Sequence, residues 1–320
     1  MGQGQETKTR PDPSIEIQER GDIFFFYRPK VDKEEAHGAE DVQRFYLLLR
    51  PHSESGQTDV VQEKQDPNSG KEGAKRRRLA HHEHEHEHEG GHGSHRVNIQ
   101  KQPLLRFIVM GRKSLPDPSK KTTPYWGFVE MVTTEIQHVK AALRGEEYET
   151  ATKGHRHLPD SRAVGEGVYR ILKHNPGSSR MHTHLVYKLE YPLEGEAEEP
   201  QEALNIARQA SFLLQIKNPD QDQRGPQFRG LAKKRKAAFP AHLQAVFGHQ
   251  RYHPADPPDL LNYEGCEFLL ISASDDIEQE LGLELKTTEQ LQDPDECSDL
   301  IKTFGETAAS TRPLFQGTWA

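Results

Sequence analysis

Short runs of aromatic and branched apolar residues, each stopped by Pro, Gly or Asp, recur along the chain and predict strands. Ile23–Tyr27 follows Gly21-Asp22 and stops before Pro29, and Val42–Leu49 ends at Arg50-Pro51. Leu104–Met110 runs into Gly111, and Tyr125–Thr133 opens after Pro124. Gly167–Leu172 and Thr183–Tyr191 predict a hairpin around Asn175-Pro176-Gly177. Ser211–Ile216, ending at Asn218-Pro219, and Cys266–Ile271 complete eight candidate strands. Helical spacing is rarer. Ile136, Val139 and Leu143 predict a helix over Glu135–Leu143, capped at Thr133-Thr134. Leu231–Phe247 is helical in pattern but carries Pro240, which predicts two pieces. Asp275–Leu281 follows the capping residue Ser274. Strands and helices do not alternate, which argues against a doubly wound parallel sheet. The fold class predicted is α+β and β-rich: a mostly antiparallel sheet or barrel with a few peripheral helices.

Residues 52–101 break the pattern. They have almost no apolar periodicity and include the run HHEHEHEHE at His81–Glu89. Such a segment buries too little surface to offset the entropy of ordering it. It is expected to be a disordered insert in the loop between Val42–Leu49 and Leu104–Met110, which a sheet tolerates because closure cost grows slowly with length. The domain reading is a disordered tail over 1–20, one β-rich domain over 21–286, and a mostly irregular tail over 287–320. The polar tract Glu194–Gln201 is expected to be mobile.

Composition narrows the class. Apolar residues are 33% and charged residues 29% of the 320. Counting Gly and leaving out Tyr, the apolar share is roughly 38%, below the ~45–50% of globular chains, as expected if polar stretches dilute a real core. The net charge of −8 gives no global attraction to nucleic acid or anionic lipid, so such contact needs a local basic patch. With only Cys266 and Cys297, a disulfide framework is not indicated and a reducing compartment is expected. No apolar run reaches membrane-spanning length, and the polar N-terminus does not read as a signal peptide. The expected location is nucleus, cytoplasm or both.

Two basic clusters stand out. Lys75, Arg76, Arg77 and Arg78 lie in the insert, where an import receptor could take them as an extended nuclear-localisation peptide. Lys233, Lys234, Arg235 and Lys236 form a second basic patch on a predicted helix beside Phe239, equally readable as a solvated face. Tyr125, Trp126 and Phe128 offer stacking surface for a base, although a buried strand uses such residues too. His182 and His184 share one face of a strand with Glu190, a pattern like the first metal motif of cupins. The spacing departs from that motif, and His253 is the one loose candidate for a further ligand. The His81–Glu89 run suits weak adventitious metal, and no cofactor is predicted. No nucleophile elbow, P-loop or dinucleotide fingerprint occurs, and Cys266 sits within an apolar strand where a thiol is inert.

Several longer blocks carry a resemblance. GDIFFFYRPKVDKEEAH, DVQRFYLLLRP, GRKSLPDPSK, PYWGFVEMVTT, GEGVYRILKH, HTHLVYKLEYP and PADPPDLLNYEGCEFLLI look like segments of a widespread uncharacterised protein family. Its fungal members often carry the label "BTB domain transcription factor". The likeness covers nearly the whole chain outside the insert. It implies a nuclear or regulatory role and brings no assigned catalytic residues. The leading expectation is a non-enzymatic binding or regulatory protein with protein partners and, through a local patch, nucleic acid. The alternatives are a metal-dependent enzyme with a cupin-like His-x-His site, and a PUA-like RNA-binding module contacting its ligand through Tyr125, Trp126 and the basic residues.

Overall fold

The computed structural model describes residues 5–10, 14–52, 59–62, 94–97, 103–177, 181–221, 230–287, 299–304 and 311–320. In chain order the strands are β1 (Gln5–Lys8), β2 (Ile15–Pro29), β3 (Val42–His52), β4 (Asp59–Gln62) and β5 (Ser94–Val97). Next come β6 (Leu105–Met110), β7 (Tyr125–Thr133), β8 (Glu146–Thr150), β9 (Gly154–Leu158) and β10 (Arg162–His174). The last five are β11 (His182–Tyr191), β12 (Gln209–Lys217), β13 (Tyr252–Pro254), β14 (Glu267–Ser274) and β15 (Leu283–Lys286). Eight of them pair antiparallel in the order β11-β10-β2-β3-β6-β7-β14-β12, and β12 pairs back to β11. The sheet is therefore a closed barrel. All eight predicted strands are its staves.

Why those staves read as unbroken apolar runs follows from what covers them. Ile23, Phe25 and Tyr27 of β2 point inward with Phe45, Leu47, Ile108, Tyr187 and Phe212. Phe24 and Phe26 point outward, where Val139 and Leu143 of the helix Ile136–Leu143 cover them together with Leu300, Phe304 and Leu314. Both faces are dry, so alternation disappears from the sequence. Each of these side chains contributes about 1.5–3 kcal/mol by leaving water. Gly21 sits where β2 and β3 approach closely: a Cβ there would stand 2.3 Å from the Arg50 carbonyl.

Large apolar side chains pack inside the barrel, and its two ends differ. At one, the segment Pro258–Asn262 crosses the opening and sends Leu260 and Leu261 into the interior cluster. Asn262 accepts from Arg106 Nε at 2.8 Å, and Asp256 holds Lys173 at 2.9 Å and Gln18 at 2.7 Å. Arg106 in turn grips Glu19 with both terminal nitrogens, at 2.6 and 2.8 Å. At the other end Trp319 packs on Tyr27 with ring centroids 5.3 Å apart, and Gln201 donates to the Val164 and Pro313 carbonyls.

Several expectations need correction. Within 1–20 the described residues do not form a free tail: β1 pairs with β15, and residues 15–20 begin a barrel strand. The expected irregular tail carries the helices Asp299–Phe304 and Arg312–Gln316, with Leu300, Phe304 and Leu314 buried. The polar tract near Glu194 ends in the helix Glu199–Ala203, with Pro200 and Gln201 buried. Most of the insert 52–101 lies outside the described residues, while its flanks pair as β4 and β5. The pattern Leu231–Phe247 yields a 3-10 turn at Lys233–Arg235 and a short helix at Ala241–Ala245. Asp276, not Ser274, caps the helix Ile277–Leu281, accepting from the Gln279 N–H at 2.8 Å. Among the described residues no helix is long and apolar enough to cross a membrane.

Candidate nucleic-acid interface

β6 runs out at Met110 into Gly111, whose N–H donates to the Trp126 carbonyl at 2.8 Å. Arg112 follows, with its guanidinium 4.5 Å above the Tyr125 ring. The Trp126 ring packs on Phe128 at 5.1 Å, and its indole N–H donates to Glu267 Oε1 at 3.0 Å. The same carboxylate accepts from Lys217 Nζ at 2.8 Å and from the Leu231 N–H at 2.9 Å. Glu267 thereby fastens the start of the segment 231–237 beside Trp126, and the bond from Ala237 N–H to the Gly265 carbonyl fastens its end. Between the two, the 3-10 turn Lys233–Arg235 stands away from the wall.

The result is a basic ridge in two parts, Arg112 over Tyr125, which packs toward the interior cluster, and the turn Lys233–Arg235 beside Trp126 and Phe128, which pack on the outer one. Arg112, Lys113, Lys233 and Lys234 are exposed, with no carboxylate partner among the described residues. Arg235 lies 5.3 Å over Phe128 and pairs with Glu130 at 2.6 Å, and Lys236 donates to the Pro219 carbonyl at 3.0 Å. The second basic patch is thus divided: Lys233 and Lys234 face solvent, whereas Arg235 and Lys236 fasten the turn. It is not the helix face the pattern predicted, because Pro240 and the tie at Ala237 leave no room for a helical register. Nearby, Lys120 and its hydrogen-bonded partner Asp117 hold each other charged, the lysine raised and the carboxyl lowered from their ordinary values.

The cupin-like reading is corrected by the geometry. His182 and His184 lie on the outer face, because Leu185, Tyr187 and Leu189 take the interior, and Glu190 falls at a bulge of the same strand. At ~3.3 Å per residue, the Glu190 Cα stands roughly 20 Å from that of His184 and farther from that of His182, beyond the reach of side chains sharing one ion. His184 Nδ1 instead meets Ser211 Oγ at 2.9 Å, and His253 donates to its neighbouring Pro254 carbonyl at 2.8 Å. Among the described residues no three His, Cys, Asp or Glu side chains are placed to hold a metal ion. Cys266 is fully buried, and burial pushes its thiol far up. Lys75, Arg76, Arg77 and Arg78, and the His81–Glu89 run, lie outside the described residues.

Sequence reasoning missed Glu267 and Lys217, which organise the ridge, and Arg106 and Glu19 inside the barrel. A signal for two of them existed. Arg106 in LLRFIVM and Glu267 in CEFLLI are single charges inside apolar strands, the mark of a buried ion pair. Comparison of the chain with protein families, with curated proteins and with solved structures finds no match in any of the three.

Proposed function

We propose that this is a non-enzymatic binding protein whose ridge holds single-stranded nucleic acid. One observation carries the reading: exposed cations without carboxylate partners among the described residues stand on the two segments that flank Tyr125 and Trp126, Arg112 over the Tyr125 ring and Lys233 and Lys234 on the turn that Glu267 ties beside Trp126. Cations that track a backbone beside rings that accept bases are what sequence-tolerant single-strand binding requires. The apolar packing of the barrel interior favours function on the outer surface. The family resemblance adds a nuclear, regulatory setting, with Lys75–Arg78 as the peptide an import receptor takes. The PUA-like alternative uses the same surface and differs in preferring RNA.

The triple variant Arg112→Glu/Lys233→Glu/Lys234→Glu tests this, because its positions are exposed. Anisotropy with a labelled single-stranded oligonucleotide is expected to show binding weakened about tenfold or more, with the salt slope reduced by about 0.7 per lost contact. An unchanged affinity would end the proposal.

A further inference from the structure

A second cluster lies on the opposite flank of the wall. His174, at the end of β10, stands directly across from His182 at the start of β11. Both rings flank His184, with centroids 5.5 and 6.4 Å from it. His184 is only 2% exposed, and its Nε2 is buried without a hydrogen-bond partner. What buries it is a cover made of the helix Ile277–Leu281 and β15. Ile277, Leu281, Leu283 and Leu285 pack on Leu172 and Val186 of the barrel, a small apolar cluster separate from the two main ones. The cover also brings Glu280, one oxygen 3.9 Å from His184 Nδ1 and the other buried without a partner.

The titratable groups facing His184 are therefore His174 from β10, His182 from its own strand and Glu280 from the cover; β12 supplies only the Ser211 hydroxyl. Two imidazoles and a dry wall disfavour a proton there. Burial, with the neighbouring His174 and His182, holds His184 down to about 3, and burial raises Glu280 above the usual carboxyl value. The cover is otherwise tied by its ladder from Gln5–Lys8 to Leu283–Lys286, by Thr9 N–H donating to the Gly282 carbonyl at 2.9 Å, by Arg10 donating to the Glu278 and Gln279 carbonyls, by Lys188 Nζ donating to the Leu285 carbonyl at 2.9 Å, and by the bond between Glu280 and the Ser211 hydroxyl.

We infer that residues 275–286 form an acid-released flap: protonation of His184, enclosed between His174, His182 and the cover, lifts the cover from the wall while the barrel stays closed. The lifted flap would uncover Leu172 and Val186. Because the closed-state pKa of His184 is depressed, its support for closure is complete above the ordinary pKa near 6.5 and is lost as pH falls from there toward 3. Glu280 acts with the opposite sign, since its raised pKa favours closure as pH falls through that raised value. Just below pH 6.5 the histidine effect acts first.

Hydrogen exchange on the full chain at pH 7.5 and 5.5, corrected for intrinsic rate, tests it. One depressed histidine gives about a tenfold rise in flap opening over that interval, read at the amides of 277–286. The amides of β2, β3 and β10 should not change. His184→Gln should abolish the pH dependence, and the exposed-hairpin control His155→Gln should keep it. Should His184→Gln not fold, the wild-type ring decides by nuclear magnetic resonance. A His184 ring still neutral at pH 5.5 in the closed population supports the flap. A ring titrating near 6.5 with flap amides unmoved overturns it, as does a rise in exchange shared equally by the barrel strands.

Discussion

Arg106→Ala is expected to cost about 3–5 kcal/mol of stability, since removing one partner of a buried ion pair leaves the other charge uncompensated. Arg106 is 1% exposed inside the barrel, and its guanidinium is directed at Glu19 and Asn262. Without it, the Glu19 carboxylate would keep the Tyr169 hydroxyl, at 2.7 Å, and lose its counter-charge. Burial and the adjacent Glu19 charge hold that phenol well above its ordinary pKa, so it stays protonated and donating. The Asn262 amide would also lose its anchor, loosening the segment that closes this end. The double variant Arg106→Met/Glu19→Leu is expected to recover most of the loss, because an apolar pair of similar volume needs no counter-charge. Urea denaturation of the three proteins reads this directly. A single variant within about 1 kcal/mol of wild type would mean the pair behaves as a hydrated surface pair, contrary to its burial.

Glu267→Gln is expected to destabilise by about 3 kcal/mol for the same reason, with Lys217 as the stranded charge. Both side chains are almost fully buried, and the carboxylate has three donors to satisfy: an ammonium, an indole and a backbone amide. This loss reaches the interface, whereas the Arg106 loss does not. The substituted side-chain amide can still accept from Trp126, but Lys217 is left without its anion, so the start of the 231–237 segment is expected to loosen. Limited proteolysis beside Lys233 and Lys234 should accelerate in this variant under conditions where Arg106→Ala remains folded and uncut there. Equal stability and equal cleavage would contradict the role given to Glu267.

The barrel was legible because its staves are stabilised by burial on both faces, and such runs are conspicuous between Pro and Gly. The small strands were not. Gln5–Lys8 and Glu146–Thr150 are short and polar, and β1 finds its partner at Leu283–Lys286, far along the chain. Alternation put His182 and His184 on one side but is silent about which side is the interior, and that decided the cupin question; it also cannot see the bulge that falls at Glu190. The bulge in β2 opposite Ile171 and Leu172 changes facing within a strand, which places Glu19 inside and Ile17 outside. For the ridge, the cations were visible in sequence. Which of them are already paired was not, because Glu130 and Glu267 come from β7 and β14, distant from Arg235 and Lys217 in the chain.

Whether the wall binds nucleic acid is decided most directly by the affinity of the full chain for single-stranded RNA, single-stranded DNA and duplex DNA at two salt concentrations. Single strands are expected to bind ahead of duplex, weakening steeply as salt rises, with a slope near −0.7 for each phosphate contacted. A preference for RNA over DNA would select the PUA-like form. Absence of binding to every one of these at low salt would contradict the proposed function, and the ridge would then be a solvated face.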